Sequence, residues 1–269
     1  MNTADESPEG QGRSRVKSNN RSMRSPAVLV GMVLLAATSV HSQEPANPQP
    51  NRDDAETGTI EGVVIYESDR KRPWRYRRYY VADRKKGHLA EALVGLTGKS
   101  VTGYAATARP DRWTIDQKDY RFIPETLAVR AGDQITFTNS DPHVHDVTIR
   151  QLNPSSREIS RQDSFTLGQR EEVSRTYNDA GGTGLPLTLS CRFHGAMRGW
   201  IYVFDHPLFD VTEKSGEFRL DRIPAGKHQL MMVHPAGNLQ WEQAIEVRVG
   251  ETRRMEIRVS PDNLIVVEE

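Results

Sequence analysis

The chain has 269 residues, and its 36 Lys and Arg balance its 36 Asp and Glu. That length suits one large domain or two small ones, and the zero net charge removes any global pull toward nucleic acid or an anionic membrane. A single cysteine excludes an internal disulfide framework.

In chain order, the N-terminus reads as a basic lead, an apolar run from Ala27 to Ala37, and the small and polar exit TSVHSQ. This is the pattern of a secretory signal peptide over residues 1–42, with Val40 and Ser42 suited to cleavage after Ser42. An uncleaved anchor is the alternative, although the run is shorter than the roughly 20 apolar residues of a membrane span. Both readings place the remainder outside the cytoplasm, in a periplasmic or extracellular setting. Residues 43–57, rich in Pro, Asn, Asp, Glu and Gln, read as a disordered linker.

TIEGVVIY and LAEALVGL then read as two short strands. Between them DRKRPWRYRRYYVADRKKGH places nine Lys or Arg from Arg70 to Lys86 around Trp74, Tyr76, Tyr79 and Tyr80. Basic residues interleaved with aromatics suit nucleic acid, but export argues against such a partner. A solvated loop is the plainer reading, with docking of an acidic protein or anionic polymer as the second.

From Ile115 the pattern is clearer. Leu127 and Val129, the turn Ala131-Gly132-Asp133, and Ile135 and Phe137 read as strand, turn, strand, with the Gly-Asp pair making a hairpin. A polar stretch from Asn153 to Arg170 follows, and EEVSRTYNDAGGTG reads as another strand with a Gly-rich turn. In LPLTLSC the residues Leu185, Leu187, Leu189 and Cys191 alternate, which puts them on one face of a strand. His194 and Met197 follow Cys191 at three-residue steps in the next loop. No stretch after the linker shows a long helical period, so an all-β fold is expected.

A thiolate, an imidazole and a thioether are soft-to-intermediate donors, and with a second imidazole they make the donor set of a type 1 copper centre. In an oxidising compartment a lone thiol is a liability unless something occupies it. NSDPHVHDVTI offers His143 and His145 as the missing imidazole.

On FIPETLAVRAGDQITFTNSD, the His145-Asp146 pair and CRFHGAM, residues 112–204 resemble a cupredoxin domain of the plastocyanin and amicyanin kind. The resemblance implies a Greek-key β-sandwich holding one copper ion through His145, Cys191, His194 and an axial Met197. It favours His145 over His143, which becomes a surface or supporting residue. Asp146 stands where Asn is common, and Gly195-Ala196 where Pro is common.

After Phe204 the chain resembles the second half of a carboxypeptidase regulatory-like, or transthyretin-like, β-sandwich. The carrying features are GEFRL, the Pro224-Ala225-Gly226 turn, and a closing hairpin at Gly250-Glu251. TIEGVVIY and LAEALVGL have the character of the absent first half. The expected organisation is therefore one small sandwich, residues 58–111 and 205–261, divided by the cupredoxin at 112–204, with a tail at 262–269. His206, His228 and His234 are dispersed and read as structural or surface residues.

No nucleophile motif or second metal cluster accompanies these features, so an enzyme is not expected. The expected function is that of an exported one-electron carrier serving a redox protein such as a c-type cytochrome or a dehydrogenase. Nucleic acid is not expected as a partner, and a membrane only through an uncleaved anchor. The alternative is a cell-envelope binding or adhesion module in which copper is structural or stored.

Overall fold

The computed structural model describes residues 56–67, 81–83, 85–101, 104, 109–153, 156 and 158–263. The expected signal peptide, nearly all of the linker, most of the basic loop and most of the tail lie outside the described residues.

The first strands are β1 (Thr57–Tyr66), β2 (Val81–Asp83), β3 (His88–Leu89) and β4 (Leu93–Thr97). The middle of the chain forms β5 (Arg112–Lys118), β6 (Arg121–Ile123), β7 (Thr126–Arg130), β8 (Gln134–Asn139), β9 (His145–Leu152), β10 (Ile159–Leu167), β11 (Glu172–Thr176), β12 (Leu187–Ser190) and β13 (Arg198–Phe204). The last are β14 (Phe209–Val211), β15 (Glu217–Pro224), β16 (Gly226–His234), β17 (Leu239–Val247) and β18 (Thr252–Val259). The chain is all-β, and among the described residues the helical pieces are short 3-10 turns.

The strands form four sheets. β15-β1-β3-β2, with β18 also on β1, is one, and β14-β4-β16-β17 is another. β10-β9-β12-β13-β7 and β11-β8-β5-β6 make the other two. Among the described residues, β1 to β4 pair only with one another and with β14 to β18, while β5 to β13 pair only among themselves. Each pair of sheets closes on its own apolar core. One gathers Ile60, Val64, Leu96, Phe218, Met232 and Ile257 from both ends of the chain. The other gathers Ile115, Phe137, Ile149, Leu189, Cys191 and Ile201 from its middle.

Period two lets single strands serve two cores. On β13, Ile201 and Val203 join the middle core, while Tyr202 and Phe204 face the other way. β7 divides likewise, with Leu127 and Val129 on one side and Ala128 on the other, which is why all five of its residues are buried. These outward residues meet Leu93 of β4 and Val233 of β16 in a third cluster joining the two sandwiches, with Trp200, Phe209, Val211 and Met231 packed around it. Gly95 on β4 lies against this cluster, where a Cβ would sit 3.2 Å from Cβ of Phe209 on the paired strand β14 and 3.7 Å from the tip of Phe204.

Three local expectations are corrected. The turn at Ala131-Gly132-Asp133 does not close a hairpin. Both edges of β8 are taken, by β5 and β11, while β7 pairs in parallel with β13, so the turn carries the chain from one sheet to the facing one. The buried Asp133 carboxylate holds this arch by accepting the Arg130 amide at 3.0 Å, the Asp111 amide at 2.8 Å and Trp113 Nε1 at 3.0 Å. Gly250-Glu251 is not a hairpin either, because β17 pairs with β16 and β18 runs parallel to β1. LAEALVGL is two strands, broken at Glu91, whose φ is +62° and whose carboxylate takes the Thr126 amide at 2.7 Å. The polar stretch, to which no element was assigned from sequence, contains β10, an edge strand paired along β9, and its polarity reflects that partly exposed position.

Candidate metal centre

At one end of the middle sandwich, β8 runs into β9 through a loop fixed by Asn139. Its buried amide donates to the carbonyls of His143 at 2.8 Å and Leu167 at 2.9 Å, and its Oδ1 accepts the Asp141 amide at 2.9 Å. This places Asp141 against the first residue of β9. His145 is fully buried, and its Nε2 lies 2.8 Å from Asp141 Oδ2.

Burial alone would push the Asp141 carboxyl up. The amides of Tyr120 and Asp119, together with His145, outweigh burial and hold the carboxyl below the usual carboxylate range. An ionised carboxylate can only accept, so His145 Nε2 carries a proton, and in the neutral imidazole this leaves the lone pair on Nδ1.

That lone pair points at two other donors. Cys191 emerges, buried, from the end of β12, and His194 follows in the loop leading to β13. His145 Nδ1 is 3.0 Å from His194 Nδ1, and Cys191 Sγ is 3.7 Å from His194 Nδ1 and 4.0 Å from His145 Nδ1. With these three separations, a point about 2.0 Å from both nitrogens and in the plane of the three atoms lies about 2.2 Å from the sulfur, matching metal bonds of about 2.0 Å to nitrogen and about 2.3 Å to sulfur. Two imidazoles with a thiol are a donor set suited to copper. The residues present therefore fit the ion expected from the sequence.

Met197 is buried in the same core cluster as Cys191, and its amide closes the loop by donating to the His194 carbonyl at 2.9 Å. Of the two candidate upstream histidines, His145 belongs to the triad. His143 is exposed and stacks on Tyr120, with ring centroids 5.7 Å apart.

Asp146 ties the two ligand-bearing segments together in two ways. Its amide donates to Cys191 Sγ at 3.4 Å. Its buried carboxylate accepts Arg192 Nε at 3.1 Å and Nη2 at 2.8 Å, and Thr148 Oγ1 at 2.6 Å. Burial pushes this carboxyl up, and the Arg192 and Thr148 bonds more than offset it, leaving it depressed. This carboxylate thus recruits the residue next to Cys191 as its counter-charge.

Sequence reasoning missed two residues. Asp141 had a readable signal, a carboxylate four positions before a candidate ligand. Tyr120 had none, because it reaches the histidines only through the fold. Its ring lies edge-on to His194 at 4.9 Å and to His145 at 5.7 Å. The dispersed histidines are structural and buried rather than at the surface. His206 accepts the Leu208 amide at 3.1 Å, His228 bonds Ser100 and the Pro224 carbonyl, and His234 accepts the Gly237 amide at 3.0 Å.

No protein-family model matches this chain, and no curated protein does. Among solved structures, the chain is similar to a purple cupredoxin from Nitrosopumilus maritimus at 19% identity and a TM-score of 0.27, covering 34% of this chain and 97% of that one. It is similar to amicyanin from Paracoccus versutus at 18% identity and a TM-score of 0.28, covering 41% and 96%. A reduced amicyanin mutant matches at 19% identity and 0.29, covering 42% and 98%. What this metal centre can do therefore has to follow from its own geometry.

Proposed function

We propose that this chain is an exported copper-binding protein that carries single electrons between redox partners and is not itself an enzyme. The observation that carries the reading is the convergence of His145 Nδ1, Cys191 Sγ and His194 Nδ1 within 4.0 Å of one another. Copper held there supplies a one-electron step between its monovalent and divalent states.

The chain's own residues supply rigidity. Asp141 fixes the tautomer and orientation of His145. The Asp146 amide bonds the sulfur, and the Arg192–Asp146 pair holds the Cys191 loop to β9. Burial of Cys191, His145 and Met197 keeps water from the donors. A site held by two buried carboxylates, Asp141 in the β8–β9 loop and Asp146 on β9, has little freedom to rearrange when its charge changes by one. Met197 is the weak axial donor in this reading, supported by its burial beside Cys191.

The reading extends to organisation and place. Residues 58–111 and 205–261 form one supporting sandwich, into which the copper domain, residues 112–204, is inserted. The strand pairing supports this division. The N-terminal pattern supports export to the periplasm or beyond, and the partner is a redox protein such as a c-type cytochrome or a dehydrogenase. Loading the purified protein with Cu(II) tests the function. One ion per chain that is reduced and reoxidised reversibly is expected, and an ion that binds but cannot be cycled without loss would contradict the carrier role.

A further inference from the structure

Glu91 belongs to the supporting sandwich, yet its carboxylate bonds the other one. It breaks the chain between β3 and β4 with a φ of +62°, a conformation that residues with a Cβ rarely take. Thr212 clamps the break from both sides. The Glu91 amide donates to the Thr212 carbonyl at 2.8 Å, while Thr212 Oγ1 accepts the Ala92 amide at 3.0 Å and donates to the Leu89 carbonyl at 2.7 Å. So mounted, the half-buried Glu91 carboxylate accepts the amide of Thr126, the first residue of β7, at 2.7 Å. Burial pushes this carboxyl above the usual carboxylate range, the Thr126 amide opposes the rise, and the neighbouring Glu125 carboxylate adds to it. Strained backbone of this kind gathers where a fold holds a functional group in place.

Glu125 and Thr126 are in turn bound to the strand that leaves the metal loop. The Glu125 carbonyl accepts the Trp200 amide at 2.8 Å, and Trp200 is the register partner of Thr126 where β13 runs parallel to β7. The buried Glu125 carboxylate takes Arg198 Nε on Oε1 at 3.1 Å and Arg121 Nη2 on Oε2 at 3.4 Å. Gly199 lets β13 lie close on this segment, since a Cβ there would stand 3.0 Å from the Glu125 carbonyl oxygen. Arg198 directly follows Met197, whose amide donates to the His194 carbonyl at 2.9 Å. The loop carrying Cys191, His194 and Met197 is thus held at its start by Arg192 on Asp146, within the middle sandwich. At its end it is held by Arg198 and Trp200 on Glu125, in a segment fastened to the supporting sandwich by Glu91.

We infer that Glu91 is a positioning residue for the metal centre, setting the place of Met197 through Thr126, Glu125 and Arg198, a role that rests on the copper-binding reading above. It gives the supporting sandwich a part in the metal chemistry. The axial donor is the weak, long bond of such a centre and one of the means by which its potential is tuned. A small displacement of Met197 therefore alters the copper without emptying the site.

The test reads copper hyperfine splitting and reduction potential in the copper-loaded full chain, and the Met197 methyl resonance in the metal-free one. Alanine at position 91 keeps the Cβ, and so the same backbone preference, but gives the Thr126 amide no acceptor. Glu91→Ala should still bind one copper, with a changed splitting, a shifted potential and a moved Met197 resonance. Glu91→Gln, whose carbonyl oxygen can accept the Thr126 amide, should move all three less. Phe209→Ala removes a ring stacked on Phe204 between the sandwiches and leaves the Glu91 bond in place, so it should lower stability with all three readings parental. Parental readings in Glu91→Ala would overturn the inference, as would changes in Phe209→Ala as large as those in Glu91→Ala. Should Glu91→Ala not fold, Glu125→Ala breaks the same route at its next link, and parental readings there would overturn the inference equally. A parent chain that binds no copper would overturn the reading beneath it. The Met197 resonance of metal-free Glu91→Ala then decides the positioning alone, a shift upholding it and a parental value refuting it.

Discussion

Replacing Asp141 by Asn keeps the side chain's volume and removes one acceptor oxygen, so its cost can be worked from the hydrogen bonds. In the carboxylate, Oδ1 takes the Asp119 amide, and Oδ2 takes both the Tyr120 amide and His145 Nε2. An amide has one carbonyl oxygen, and either orientation turns its NH2 toward at least one of these donors. At least one part-buried N–H then loses its acceptor, a penalty of about 1–3 kcal/mol. If His145 is the group that loses its partner, its tautomer is no longer fixed, and metal affinity should fall about 10–100-fold. The assays are urea unfolding of the metal-free variant and copper affinity by competition with a chromophoric chelator. A folded Asp141→Asn protein with both parental stability and parental affinity would refute the claim that this carboxylate organises the centre.

Other consequences follow from named contacts. Arg192→Ala leaves the buried Asp146 carboxylate with Thr148 as its remaining side-chain donor. Because Arg192 lies at the surface the pair is screened by solvent, and a loss of stability is expected by chemical denaturation, with unchanged stability contradicting a role for the pair. Phe204→Ala removes a fully buried ring stacked on Phe209 at 4.7 Å between the sandwiches. Stability should fall by about 3–5 kcal/mol in urea titrations, while the copper colour persists because no metal donor is touched. His234 is buried and neutral, with burial pulling its pKa from 6.5 to about 3. Between those values the unfolded chain binds a proton that the folded one does not, so stability should fall with decreasing pH by up to about 1.4 kcal/mol per unit. His234→Asn, whose carbonyl oxygen can accept the Gly237 amide, should flatten that dependence between about pH 6.5 and 5 in urea titrations.

Much of the metal centre could be read directly because its signals are local. Cys191, His194 and Met197 share one loop, and alternation through Leu187 and Leu189 fixes the face from which the cysteine emerges. The choice of His145 over His143 needed the resemblance, since two histidines two residues apart share a strand face. What stayed hidden depends on distant partners. A Gly-Asp turn looks the same whether its strands pair or cross to a facing sheet, and at residues 131–133 the answer was set by β5 and β11 occupying both edges of β8. Nothing in LAEALVGL marks the break at Glu91, which is stabilised by Thr126 and by the Thr212 carbonyl far along the chain. Tyr120 carries no sequence signal, because its place depends on an aspartate 21 residues away. Residues 153–170 lacked an apolar stripe because β10 is an edge strand, stabilised by its ladder to β9 more than by burial.

The most direct test of the central claim is visible spectroscopy during titration with Cu(II). One equivalent should produce an intense thiolate-to-copper charge-transfer band with narrow copper hyperfine splitting, and Cys191→Ala should abolish both. A colourless complex, or a coloured one unaffected by Cys191→Ala, would contradict the assignment of this triad as the copper site.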